Sequence, residues 1–454
     1  VKMMIGIDGE WGLFQRFPAA HKFPWAMTLG AIQDNSLIYE MTSKIAEDCK
    51  RMGIYWDFAP VVDVNTNPAN PIIGNRSFGS DINNVIAKGL AYAQGLQDNG
   101  VLASMKHFPG HGDTDTDSHL DLPVVSHNLE RLNSVELAPF KALLDKKIGG
   151  VMVAHLYVPA LEKQSGIPAS VSYDIITNLL KKSYQYNGLI ITDALNMNAV
   201  AKKFPAGELD LRAFKAGNDI MLFSQDVPNG KALIKSALEK GEISENRLAE
   251  SVKKILKTKY LLGLQNLKSI NSENINEDLN NVSHAELSEK LYSNAITLLK
   301  DEKNLLPLSC SETYYYLPLE EAPFQTFVEN LNLGTTVKVI SKTEIAQIPE
   351  NSTVIVGFHK DNSTAYKPYK ISQESKDILA ELSKKQNVIL DVFGSPYALK
   401  DVDISTISTV LVSYENNDLS LKASAKAILG KTKISGKLPV IVNENLKAGS
   451  GIEK

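Results

Sequence analysis

Across residues 1–264 short apolar runs alternate with stretches in which apolar positions return every three or four residues, the pattern of βα units on a parallel sheet. Six runs have strand length, at 3–8, 57–62, 102–107, 150–156, 188–194 and 219–223. Helical spacing fills the intervals, as in Ile86, Leu90 and Ala93, or Leu248, Val252, Ile255 and Tyr260. Asp8, Asp63, His107, His155 and Asp193 fall at the C-terminal ends of these runs. A (β/α)8 barrel of the TIM type gathers its active site there, a rule that doubly wound sheets share. No glycine-rich fingerprint follows any run, which favours the barrel. Six strands leave it two short of closure, so the first two strands are expected to lie upstream, in about 60 further residues or two βα units of about 30.

The pattern changes after the barrel. Residues 265–283 are rich in Asn, Ser, Glu and Asp and read as a linker or wrapped connector. A helix at about 285–295 then leads into apolar runs at 314–319, 337–340, 354–358, 388–392, 410–412 and 438–442, with helical spacing between several of them. This predicts a C-terminal α/β sandwich domain over 284–454. A chain of 454 residues exceeds what one core usually fills, which supports two domains.

Composition narrows the partners. With 22% charged residues and a net charge of −4, the chain offers no electrostatic reason to expect nucleic acid or an anionic membrane. Cys49 and Cys310 are far apart and form no metal-ligand spacing. No stretch approaches the ~20 apolar residues of a membrane span. The opening residues read as a strand and not as a signal peptide, so any targeting segment is expected upstream of residue 1.

The densest chemistry lies between Lys106 and His119, where three of the eight histidines follow a strand. Pro109, Gly110 and Gly112 rule out a regular helix and predict a loop over the barrel mouth, mobile enough to open and close. In it Asp117 can accept a hydrogen bond from the His119 ring and stabilise its imidazolium, raising the histidine toward working pH. An isolated Asp-x-His more often caps a turn; the surrounding Lys106, His107 and glycines favour chemistry. Zinc is the sharper rival, through His107, His111, Asp113 and His119. Its spacing is poor, because Pro109 and Gly110 prevent the turn that would align the first two.

A second cluster is the apolar strand ending at Asp193, which delivers one partly buried carboxylate able to attack an anomeric carbon or, alternatively, to cap a following helix. Asp8, Glu10, Arg16, Arg76, Lys106 and His107 supply the carboxylates and cationic donors that bind vicinal hydroxyls in pairs.

These residues resemble glycoside hydrolase family 3, in its two-domain β-N-acetylglucosaminidase branch. The likeness rests on Lys-His-Phe-Pro-Gly-His-Gly-x-x-x-x-Asp-Ser-His at 106–119, Ile-Thr-Asp-Ala-Leu-Asn-Met at 191–197 and Ile-Asp-Gly-Glu at 7–10. It extends to Ala295–Lys300, Asn304–Leu308 and Gly436–Val440 in the sandwich domain. The resemblance implies that Asp193 is the nucleophile, that His119 is the acid/base oriented by Asp117, and that Asp8, Arg16, Arg76, Lys106 and His107 hold the sugar. No metal or other cofactor is implied. The expected activity is retaining, exo-acting removal of β-linked N-acetylglucosamine from peptidoglycan-derived or related carbohydrate, in a periplasmic or extracellular setting rather than the cytoplasm. Three alternatives stand beside it: phosphorolysis in the same site, since a neutral histidine base repels phosphate less than a carboxylate does; an inactive sugar-binding protein; and a metal-dependent hydrolase.

Overall fold

Five short strands of consecutive βα units pair in chain order, each parallel to the next: β1 (Gly6–Ile7), β2 (Trp56–Asp57), β3 (Leu102–Phe108), β4 (Gly150–Val153) and β5 (Leu189–Thr192). The computed structural model describes residues 2–115, 121–267, 269–364 and 367–454. A single parallel bridge between Ile191 and Ile220 extends the sheet where the sixth apolar run lies, so that run forms one rung and not a strand. This is an α/β wall with the strand order of a barrel; among the described residues the sheet runs from β1 to that bridge.

Helices cover the wall because their apolar faces repeat at helical spacing. Leu37, Ile38, Met41 and Ile45 of Ser36–Arg51, and Val85, Tyr92, Ala93 and Leu96 of Ile82–Asp98, are buried. The helix Glu245–Leu261 begins where Ser244 accepts the Arg247 N–H, an N-cap of the usual kind. The polar stretch after it wraps onto this unit. Arg51 donates to the Asn271 and Glu273 carbonyls at 2.6 Å each and to the Asp278 carboxylate at 2.7 Å.

The chain divides into two compact units that interleave in sequence. The first comprises Val1–Lys22, Ser36–Ile73 and Ile82–Asn280; the second comprises Phe23–Asn35, Gly74–Asp81 and Asn281–Lys454. In the second, a six-stranded sheet is ordered β6-β11-β10-β9-β7-β8. Its strands are β6 (Thr297–Asp301), β7 (Thr313–Leu319), β8 (Thr336–Val339), β9 (Thr353–His359), β10 (Asn387–Phe393) and β11 (Thr409–Val412). β6 alone pairs antiparallel, at the edge. Tyr316, Phe327, Ile355, Ile389, Phe393 and Leu411 pack its core.

One of the two excursions, 23–35, joins this unit for a polar reason. The buried Glu415 carboxylate accepts the Trp25 N–H at 2.8 Å, the Thr28 hydroxyl at 2.7 Å and the Tyr292 hydroxyl at 3.0 Å. Residues 438–442, expected as a strand, are not one. Leu438, Val440 and Val442 are buried, but the Leu438 and Val442 N–H groups donate to the Ser450 and Leu446 carbonyls of a local loop and build no ladder. No helix among the described residues is long and apolar enough to cross a membrane.

Candidate active site

Lys106 and His107 stand next to each other near the end of β3, and both side chains are buried. The register of β3 against β4 shifts between Met105 and Phe108, which breaks the strict alternation that would send neighbouring side chains to opposite faces. Lys106, 1% exposed, is gripped by Asp8 Oδ1 at 3.0 Å and Glu10 Oε1 at 2.8 Å from the loop after β1. Arg16 donates to the other Asp8 oxygen at 2.6 Å. Burial alone would raise the Asp8 carboxyl, but Lys106 and Arg16 outweigh it and hold the group below the usual carboxylate range.

His107 donates from Nδ1 to Asp63 Oδ2 at 2.7 Å. Asp63, 1% exposed, also accepts the backbone N–H of His107 at 3.2 Å and of His111 at 2.7 Å. Burial pushes its carboxyl up, yet the His107 imidazole and these N–H groups bring it below the ordinary value. One aspartate after β2 thus orients the imidazole and anchors the loop that follows it.

Up to residue 114 that loop is held by hydrogen bonds and close backbone packing. Asn70 donates its amide to the His111 and Gly112 carbonyls at 2.8 and 3.1 Å. A Cβ on Gly112 would lie 1.9 Å from the Val64 carbonyl oxygen, so only glycine permits this approach. Gly110 has φ 124°, and a Cβ there would meet Glu136 at 2.7 Å. His111 is buried, hydrogen-bonded at Nδ1 to the Thr114 hydroxyl at 2.9 Å, and lowered by burial to about 4, so it is neutral. Asp117 and His119 lie outside the described residues.

Asp193 follows β5, with its N–H donated to the Val153 carbonyl at 2.8 Å. Its Oδ1 accepts the Ala194 N–H at 2.8 Å, while the next helix, Asn198–Ala201, starts after Met197 with no side-chain cap, so Asp193 is not a helix cap. The carboxyl is half-buried. Burial would raise it, but the fields of His107 and His155, the Ala194 N–H and Lys106 hold it ionised, below the usual range. His155 is buried after β4, donating from Nε2 to the Ala194 carbonyl at 3.0 Å and accepting at Nδ1 from Ser170, 2.7 Å away. Burial lowers its pKa against the opposing pull of the Asp193 carboxylate and the Ala194 carbonyl.

Of the residues expected to form the site, Asp8, Arg16, Lys106, His107 and Asp193 all belong to the first unit, joined by direct hydrogen bonds or by the charges acting on Asp193. Arg76 ends the turn Gly74–Arg76 in the second unit and is buried. Asp63 and His155 were visible as strand-end polar residues, but no local motif marks one as the partner of His107 and the other as the neighbour of Asp193.

Among the described residues the proposed zinc ligands His107, His111 and Asp113 do not converge, and His119 lies outside them. His107 and His111 face Asp63 and Thr114. Asp113 meets His127 at 2.7 Å beside Glu136, and there the Arg131 guanidinium, 3.1 Å from Glu136 and 3.8 Å from Asp113, supplies the cation.

The glycosyl hydrolase family 3 N terminal domain matches residues 1–258. The chain is 32% identical to "Beta-hexosaminidase A" of Pseudoalteromonas piscicida, over 97% of this chain and 83% of that protein. It is 35% identical to "Beta-hexosaminidase LpqI" of Mycobacterium bovis, over 56% of this chain and 67% of that protein. Among solved structures, a glycoside hydrolase family 3 β-N-acetylglucosaminidase from Paenibacillus sp. str. FPU-7 superposes with TM-score 0.79 at 31% identity, over 98% of this chain and 87% of that one.

Proposed function

The chain belongs to glycoside hydrolase family 3 and is a glycoside hydrolase, and from that premise we propose that it removes terminal β-linked N-acetylglucosamine with retention of configuration. Asp193 attacks the anomeric carbon as His119 protonates the leaving oxygen, forming a glycosyl-enzyme. His119, then neutral, draws a proton from water, which displaces Asp193. Asp117 orients the His119 ring. Asp8, Arg16, Lys106 and His107 hold the sugar hydroxyls. The strands described above are the contiguous part of a (β/α)8 wall in this reading, with Asp193 at its C-terminal end. The substrate class is N-acetylglucosamine conjugates of the peptidoglycan type, in keeping with the β-hexosaminidases and the β-N-acetylglucosaminidase that the chain resembles.

The observation that carries the reading is the state of Asp193: a half-buried carboxyl at a strand end, kept ionised by two imidazoles and a buried ammonium. A nucleophile needs that charge and that restraint. The test is release of the aryl group from an aryl β-N-acetylglucosaminide, in phosphate and in phosphate-free buffer. Asp193→Ala is expected to lose at least 1,000-fold in kcat, an effect of the size seen when one member of a catalytic unit is removed. Turnover by Asp193→Ala within tenfold of the parent would discard the assignment.

A further inference from the structure

One buried carboxyl beneath the sugar-binding cluster has no part in the scheme above. Asp57 ends β2 in register with Ile7, the residue before Asp8. It is 0% exposed. Its Oδ1 accepts the Gly9 N–H at 2.9 Å, and its Oδ2 has no hydrogen-bond partner among the described residues. Gly9 sits so close that a Cβ there would fall 3.1 Å from Oδ1 and 3.2 Å from Oδ2. The Tyr92 hydroxyl lies 3.1 Å from the carbonyls of both Gly9 and Glu10.

The turn Asp8-Gly9-Glu10 is therefore held through its backbone by Asp57 and Tyr92, while its two carboxylates close on Lys106. A fully buried carboxyl that spends one oxygen on a single N–H is a poor device for stability, because the other oxygen goes unpaired. It is a good device for fixing one backbone position. The titratable groups acting on it, or on which it acts, are Lys106, Asp8, Glu10, Cys49 and Tyr92. Burial raises Asp57 to about 7 against the pull of Lys106 and the Gly9 N–H, so asparagine is a close mimic of its neutral form.

We infer that Asp57 is a positioning residue for sugar recognition: by holding the Gly9 N–H it sets the angle at which Asp8 meets the sugar, and so controls KM without touching substrate. The inference rests on the reading that Asp8 binds the sugar.

The experiment measures kcat and KM separately on an aryl β-N-acetylglucosaminide for the full chain and for Asp57→Ala, Asp57→Asn, Gly9→Ala and Asp8→Asn. Asp57→Ala and Gly9→Ala are expected to raise KM about tenfold with kcat within threefold, and Asp57→Asn, which keeps the acceptor for Gly9, to restore KM to within threefold. If Asp57→Ala does not fold, Gly9→Ala and Asp57→Asn carry the test. A Gly9→Ala enzyme with parental KM, or an Asp57→Asn enzyme with a tenfold higher KM, overturns the inference. If those results come with Asp8→Asn raising KM, only the role of Asp57 falls. If Asp8→Asn also leaves KM unchanged, the sugar-binding reading falls with it.

Discussion

Lys106 shows how much one side chain holds here, since its ammonium is the counter-charge for both Asp8 and Glu10 and part of what keeps Asp193 ionised. Breaking a buried pair by removing one partner leaves an uncompensated charge, at a cost of about 3–5 kcal/mol. Lys106→Met is expected to lower the unfolding free energy by about that much in urea titrations at pH 7 and to raise KM. Far from the site, His359 in the second unit is buried, stacked on Phe393 and bonded to Asn416 at 2.6 Å; burial lowers it to about 4. Its unfolded value is about 6.5, so between pH 6.5 and 4 the unfolded chain binds the extra proton and the native state loses ground as pH falls. The stability advantage of the parent over His359→Gln should therefore shrink by about 3 kcal/mol between pH 7 and pH 4. Comparing the two proteins removes the opposing contribution of Asp391, which burial raises to about 6.

Among elements, the segment after β3 does most to position chemistry, and its glycines are the reason it can. Gly112→Ala would drive a Cβ into the Val64 carbonyl, so the loop must move off Asp63 and Asn70. Its kcat/KM should fall at least tenfold, with a loss of about 1–3 kcal/mol for overpacking, measured by aryl-glycoside kinetics and urea unfolding. Much of this was legible in the chain: the βα alternation gave the parallel order, and strand ends gave Asp8, His107 and Asp193. What was not legible is pairing across elements. Nothing near Asp63 announces that its carboxylate binds the His107 ring, and Asn70 reads as an ordinary loop residue until it meets the His111 and Gly112 carbonyls. The apolar run at 438–442 was likewise misread, because apolar character shows which side chains are buried and says nothing of where the backbone N–H groups go.

At the scale of the whole molecule the two units are not consecutive in sequence, because 23–35 and 74–81 belong to the second. A linear boundary after the connector overlooks these excursions, the first of which sends Glu415 two donors from residues some 390 positions away. A fragment of residues 281–454 lacks the Trp25 N–H and the Thr28 hydroxyl, leaving Glu415 short of two donors, at about 1–3 kcal/mol for an unsatisfied buried group. Expressed alone, it should unfold at lower urea than the same unit in the full chain, and Glu415→Gln should recover part of the loss.

The central claim, that the carboxylate of Asp193 becomes bonded to the sugar, has a direct measurement. A slow-turnover 2-acetamido glycoside with an activated leaving group is mixed with the full chain, quenched in acid, weighed intact and mapped by peptide mass spectrometry. The account predicts a mass gain of one glycosyl residue, carried by the peptide containing Asp193 and absent from Asp193→Asn. A label on another residue, or turnover with no label and a first-formed α-anomer, would contradict it.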